Sequence, residues 1–332
     1  MSDPKILVTG ANGFLGSEIV RQLHGASLPV RATSLRAFSS CAAVEHLQAD
    51  IMRTEQVALA LKDIDTVIHT AGLAHVFRHA SQYEFQRINV NGSVSVMQAA
   101  VDQGISHFIF VSSISVYGHS GNSVYREGDP CRPEGPYAQS KLKAEQELTA
   151  LASCAGAALT ILRLSTLYGE GDRGNVNRLM RSIDRGHFIW LGRGDNYKSL
   201  LYKRDAAIAC MLVAKNPARG IRIFNVSAPA CTMKEIVNGL ASALGMRIRS
   251  GGIPASLALS ASSIMTRLHN ERANRLGETI KKWLCSDVCD STLFDSRYQF
   301  KARTPLFEGL SRQVACYRQA HRLGNSGLSY AS

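Results

Sequence analysis

Short apolar runs alternate with stretches in which apolar positions recur every three or four residues. Ile6-Leu7-Val8 and Phe108-Ile109-Phe110-Val111 are continuous apolar runs of strand length, the pattern of strands buried on both faces. The same reading predicts strands at Ile6–Thr9, Val30–Thr33, Thr66–Thr70, His107–Ser112 and Leu159–Leu164. Helical spacing predicts helices at Gly16–Leu23, Val57–Leu61, Val90–Val101 and Pro136–Leu151. Strand, helix, strand, repeated, implies an α/β fold built on a doubly wound parallel sheet. Beyond Gly169 the pattern loosens, and Gly192-Arg193-Gly194-Asp195-Asn196 reads as a loop. A smaller C-terminal α+β lobe is expected there. The chain is expected to return to the sheet near Leu200–Ala214 and Ile221–Val226. The predicted division is residues 1–170, with those returning segments, against a lobe formed mainly by 171–332.

The remaining bulk properties narrow the class. No apolar stretch approaches the roughly 20 residues that span a bilayer. The opening Met1-Ser2-Asp3-Pro4-Lys5 lacks a signal-peptide layout, so a cytoplasmic protein is expected. The net charge is +12, but the basic residues are dispersed without a Lys/Arg block, and no nucleic-acid partner is expected. A basic cleft for a phosphate-bearing cofactor and a polyanionic small substrate accounts for the charge equally well, as does a plain arginine-rich surface. Arg267 to Arg275 offer at most a loose contact with a membrane surface, not stable insertion. The eight cysteines include no Cys-x-x-Cys pair, so reduced thiols and no metal site are expected.

Two motifs carry chemistry. Thr9-Gly10-Ala11-Asn12-Gly13-Phe14-Leu15-Gly16 follows a predicted strand and opens a helix. Glycine at 10, 13 and 16 allows a tight turn and close approach to a pyrophosphate, which the helix N-terminus then attracts. Gly10, Asn12, Gly13, Phe14, Leu15 and Gly16 are therefore expected at a dinucleotide. An acidic residue that bonds the ribose of NAD usually stands about 20 residues on. Val30-Arg31-Ala32-Thr33-Ser34-Leu35-Arg36 has none. Thr33, Ser34 and Arg36, with Arg31 if it faces the site, could accept a 2′-phosphate, so the cofactor expected is NADP or NAD, with NADPH favoured. The second motif is Tyr137 and Lys141 in Gly135-Pro136-Tyr137-Ala138-Gln139-Ser140-Lys141. Four residues apart on a helix, they share one face. An ammonium beside the phenol is expected to draw the tyrosine pKa down from about 10, which suits proton exchange with a hydroxyl.

These motifs together resemble the extended branch of the short-chain dehydrogenase/reductase superfamily, the NAD-dependent epimerase/dehydratase family, and the resemblance covers most of the chain. It implies a Rossmann domain followed by a nucleotide-sugar lobe. Asp50-Ile51 resembles the pair that relatives place at the adenine, and His69-Thr70-Ala71-Gly72 the loop beside the cofactor. Asn89-Val90-Asn91-Gly92 resembles the Asn-x-x-Gly helix start of the family. In Val111-Ser112-Ser113-Ile114-Ser115, relatives place the catalytic hydroxyl at the position of Ser113, with Ser112 expected on the other side of the strand. Lys141 is then expected to hold the nicotinamide ribose. Leu162 to Asn175 resembles the segment that leads from nicotinamide to substrate, with Leu164 and Glu170 where relatives carry prolines. Through it Leu164 is implied at the cofactor and Thr166, Asn175 and Arg178 at the substrate, with backbone N–H groups of the helix that starts there on phosphate. Lys198 stands where relatives set an arginine on the diphosphate.

The resemblance is strongest to the UDP-glucose 4-epimerase-like group that reduces UDP-4-keto-6-deoxy-N-acetylhexosamines, notably over His69-Thr70-Ala71-Gly72-Leu73-Ala74-His75-Val76. It implies a UDP-sugar substrate and a role in surface polysaccharide. Dehydratases of the branch carry an Asp-Glu pair directly after the catalytic hydroxyl residue. Ile114 and Ser115 stand there, which disfavours dehydration. The acid-free second strand favours a reductase that exchanges its cofactor over an epimerase that retains NAD. A UDP-hexose 4-epimerase and, remotely, a non-catalytic dinucleotide sensor remain as alternatives. Relatives often pair as homodimers, and Val90–Val101 and Pro136–Leu151 are the helices that would do so here.

Overall fold

A computed structural model describes residues 4–36, 41–74, 80–118, 124–248, 251–265, 267 and 271–324. Seven strands form one sheet: β1 Ile6–Thr9, β2 Val30–Ser34, β3 Glu45–Gln48, β4 Thr66–His69, β5 His107–Ser113, β6 Ala158–Leu164 and β7 Ile221–Val226. Their order is β7-β6-β5-β4-β1-β2-β3, and every neighbouring pair is parallel. The direction of winding reverses between β1 and β4, so the crevice at their carboxyl ends is where such a sheet takes its ligand. Helices cover both faces. Gly16–Gly25 and Lys203–Lys215 pack on one, around Ile19, Leu23, Ile68, Ile109 and Cys210. Thr54–Leu61, Gly92–Asp102 and Gly135–Ala155 pack on the other, around Val67, Met97, Phe110 and Leu148.

The expected doubly wound architecture is present, with local differences. Glu45–Gln48 is an edge strand without an apolar run, held by its pairing to β2. Leu200–Tyr202 does not join the main sheet but pairs with Thr166–Tyr168, whereas Ile221–Val226 becomes its edge. The helix expected from Val90 starts at Gln82, where Ser81 and Glu84 form a capping box, and passes through a wider turn at Gln86–Asn91. Asn89 thus lies inside a helix rather than at its start. Helices Asn175–Asp184, Met233–Leu244 and Leu306–Gly324 form a separate core around Tyr168, Met180, Val237, Leu240 and Leu310. Among the described residues, no helix is long and apolar enough to cross a membrane.

Candidate active site

The glycine loop closes against the segment after β4. Gly10 has φ +67°, and a Cβ there would lie 2.7 Å from the Ala71 backbone nitrogen. A Cβ on Gly16 would meet Gly10 O at 2.2 Å and Thr70 Oγ1 at 2.9 Å. Thr70 Oγ1 donates to Thr9 O at 2.6 Å, Gly13 N to Gly10 O at 2.8 Å, and Asn12 Nδ2 to Arg36 O at 3.0 Å. Helix Gly16–Gly25 then starts after Leu15 with no side chain capping it. Its electropositive end faces a backbone cradle without bulk, which fits the pyrophosphate of a dinucleotide. Phe14 beside it lies under the Lys203 ammonium, 5.6 Å from the ring centre. Asp50 caps its own turn by accepting from Met52 N at 2.9 Å, and Ile51 packs where a Cβ on Gly92 would stand, 2.6 Å away. Asn89 is buried and engaged: its amide donates to Leu73 O and Ser140 Oγ, and its carbonyl takes Leu73 N at 2.7 Å. These bonds hold Leu73 and Ser140 about it. His75 and Val76, part of the resemblance, lie outside the described residues.

The second strand corrects the expectation of a four-residue phosphate grip. Thr33 Oγ1 donates to Leu47 O at 2.8 Å, turned toward β3. Ser34 Oγ donates to Arg36 O at 2.5 Å and lies 3.1 Å from His46 Nε2. Arg31 is buried; Nη1 donates to Ala60 O at 3.0 Å and Lys62 O at 2.5 Å, while Nε lies 2.8 Å from Glu45. It serves the carbonyl end of helix Thr54–Leu61, where positive charge is favourable. Arg36 is the exposed member of the set.

Ser113, Tyr137 and Lys141 converge at the end of β5. Ser113 faces Tyr137 closely enough to favour its ionised form, and Ser115 N donates to Ser113 Oγ at 3.2 Å. Tyr137 is half-buried, and burial pushes its phenol up to about 12, against the opposing influence of Ser113. The expected downward pull of Lys141 is absent. The lysine head group turns to Val111 O at 2.8 Å and sits 4.6 Å from the Phe110 ring centre, so the one-turn spacing does not bring ammonium to phenol. Burial lowers Lys141 to about 8, with Glu145 opposing that shift.

The substrate side diverges further from expectation. Leu164 is buried in the core below the β6 end, and Thr166 pairs in register with Leu200. Asn175 and Arg178 lie together on the exposed start of helix Asn175–Asp184, where the Arg178 guanidinium donates to Asn175 Oδ1. The phosphate expected on that helix start meets an occupied end: Asp172 accepts from Gly174 N at 2.6 Å and Asn177 N at 2.9 Å. A carboxylate already fills the role the dipole offers. Lys198 is also withdrawn. It is buried, 2.7 Å from Asp287 Oδ2 and 2.6 Å from Lys282 O, so its charge is spent inside the lobe. Glu170, in a proline's place, accepts from Tyr202 Oη at 2.7 Å while Lys203 Nζ takes its backbone carbonyl at the same distance. Among the described residues, no three His, Cys, Asp or Glu side chains gather to hold a metal ion.

A glycine cradle lies at the switch point of this parallel sheet, and the profile of the NAD dependent epimerase/dehydratase family matches residues 6–227. The chain belongs to that family. It is 29% identical over 316 residues to the N-acetyl-alpha-D-glucosaminyl-diphospho-ditrans,octacis-undecaprenol 4-epimerase of Escherichia coli O157:H7, covering 93% of this chain and 94% of the relative. It is 31% identical over 248 residues to the UDP-glucose 4-epimerase of Vibrio cholerae, covering 72% and 75%. Among solved structures, MoeE5 in complex with UDP-glucose and NAD is 30% identical, with a TM-score of 0.77 over 96% of this chain and 99% of that one.

One part of this family member's site escapes the sequence reading. Glu145, one turn beyond Lys141, is buried and takes Ser112 Oγ at 2.5 Å and Arg163 Nη2 at 2.7 Å. Arg163 Nη1 donates onward to Tyr117 Oη at 2.9 Å, and Tyr117 Oη donates to Asn225 Oδ1 at 2.8 Å. The cluster ties β5, β6, β7 and helix Gly135–Ala155 together beneath Ser113 and Tyr137. Its signal was present: Tyr137, Lys141 and Glu145 repeat every four residues on one helix face.

Proposed function

We propose that this chain is an NAD(P)H-dependent reductase of the C4 ketone of a UDP-4-keto-6-deoxy-N-acetylhexosamine, serving surface-polysaccharide synthesis. The observation that supports the reading is Ser113 facing Tyr137 at the end of β5, with a phenol held protonated at working pH. Residues 1–170 would bind the dinucleotide and 171–332 mainly the nucleotide sugar, in a cytoplasmic protein that pairs as a homodimer. Bound nicotinamide supplies the hydride. As the ketone carbon takes it, negative charge develops on the oxygen; Ser113 donates a hydrogen bond to that oxygen and Tyr137 gives it the proton, leaving an alcohol. Lys141 holds the nicotinamide ribose. Arg36, alone on the second-strand side, supports NADPH over NADH.

A 4-epimerase is the second reading, supported by two relatives of that activity, one named for a nucleotide sugar and one for a polyprenyl diphospho-sugar. The same groups would then work in both directions. An assay of the purified chain with a UDP-4-keto-6-deoxy-N-acetylhexosamine, following NADPH and NADH loss and resolving the C4 epimers formed, separates the two. Tightly held NAD and turnover of UDP-hexose without added cofactor would overturn the reductase.

A further inference from the structure

Residues 246–284 are unlike the rest of the chain in composition. From Ser250 to Thr266 no residue is charged, while 246–284 as a whole holds seven Lys or Arg against Glu271 and Glu278. That net of +5 is a large share of the chain's +12. Helix Ala255–Met265 lies within the uncharged run, yet only Ala258 and Ser262 on it are buried. Leu257 is 62% exposed and Ile264 64%; seven residues apart, they share one face. Leu276, on the neighbouring helix Glu271–Leu284, is 51% exposed. Arg247, Arg267, Lys281 and Lys282 are exposed around this hairpin.

The hairpin is firmly mounted. Ser262 Oγ donates to Gly277 O at 2.8 Å between its helices, and Gly192 N to Ile253 O at 2.9 Å at its base. Asn196 Nδ2 donates to Trp283 O at 2.8 Å, and Lys198 is anchored on Lys282 O. The apolar face therefore belongs to the same rigid lobe as the candidate sugar site. An 11-residue helix is too short to cross a bilayer. Apolar side chains on an uncharged helix with basic residues at its flanks are the chemistry of a helix that lies in the headgroup region. A second copy on this face would set Arg247, Arg267, Lys281 and Lys282 against their own copies, whereas anionic headgroups neutralise them.

We infer that helix Ala255–Met265, with the basic residues flanking it, docks the protein peripherally on an anionic lipid surface. This does not depend on which C4 reaction the site performs. Both tryptophans of the chain, Trp190 and Trp283, sit at the hairpin base, each against Phe188. They make the unmodified protein its own reporter. In the test, the full chain is mixed with vesicles rich in phosphatidylglycerol, or with phosphatidylcholine vesicles, at low and high salt. Co-sedimentation and tryptophan emission are followed. Binding to the anionic vesicles at low salt, weakened by salt, is expected. Leu257→Ser with Ile264→Ser, and separately Lys281→Gln with Lys282→Gln, should each weaken it about tenfold, with melting temperature and soluble-substrate turnover unchanged. Equal binding to both vesicle types, or no emission change and no pelleting with either, overturns the inference. So does a dimer that the Leu257/Ile264 variant converts to monomer while vesicle binding persists, which would assign the face to a second copy.

Discussion

Tyr137 holds its proton more tightly than a free phenol, which suits a donor and makes its hydroxyl the group to remove first. Tyr137→Phe should lower turnover by about 10²–10⁴-fold while dinucleotide binding, followed by fluorescence titration, stays intact. Lys141 gives a pH signature. Its ammonium is present below about 8 and lost above it, so dinucleotide affinity should fall as pH rises through that value. Glu145 favours the charged lysine, so Glu145→Gln should move the fall to lower pH; an unmoved profile would separate the two residues. On the second strand, Thr33→Val and Ser34→Ala should leave the KM for NADPH unchanged, since both hydroxyls are bonded to backbone carbonyls inside the protein. Arg36→Ala should raise the KM for NADPH and spare that for NADH.

The end of β6 and the middle of helix Gly135–Ala155 are held together by the Glu145–Arg163 pair, which Ser112 extends to β5. Arg163→Met strands Glu145 as a buried charge and should cost about 3–5 kcal/mol, read from urea unfolding. The elements themselves were largely legible. Five strands were predicted, two of them from continuous apolar runs at Ile6–Val8 and Phe108–Val111, because a parallel strand covered on both faces has no polar side to show. Glu45–Gln48 did not, since an edge strand is specified by its partner. The start of the helix at Gln82 is marked by the capping box of Ser81-Gln82-Tyr83-Glu84, a signal the prediction from Val90 did not use. Side-chain direction was the part out of reach. Lys198 and Arg31 look like ligands for an anion along the chain, but each meets its counter-charge on a segment distant in sequence, Asp287 or the end of helix Thr54–Leu61. The Tyr137/Lys141 spacing likewise placed two residues on one face without saying that their head groups part.

Two buried histidines link the sheet to solvent pH. His69 is pushed down to about 3 by its burial and by the Lys141 charge, and His107 to about 4 by burial. Both are neutral in the fold, whereas in the unfolded chain each binds a proton below about 6.5. Stability from this source is complete above that pH and lost progressively as pH falls toward 4, because the unfolded state then takes up more protons. The urea midpoint should drop over that interval, and the drop should shrink in His107→Gln. The lobes are joined with similar economy at the C-terminal side. Gln313, on helix Leu306–Gly324, accepts from Gly169 N at 3.1 Å and donates to Asp172 Oδ2 at 3.2 Å, the oxygen that also caps helix Asn175–Asp184. The last long helix thus reaches into the strap between cofactor and sugar sites. Shortening the chain ahead of Gln313 would therefore take away Val314 from the core and both Gln313 bonds at once, so the Gly169–Asp172 segment would loosen together with the packing beneath it.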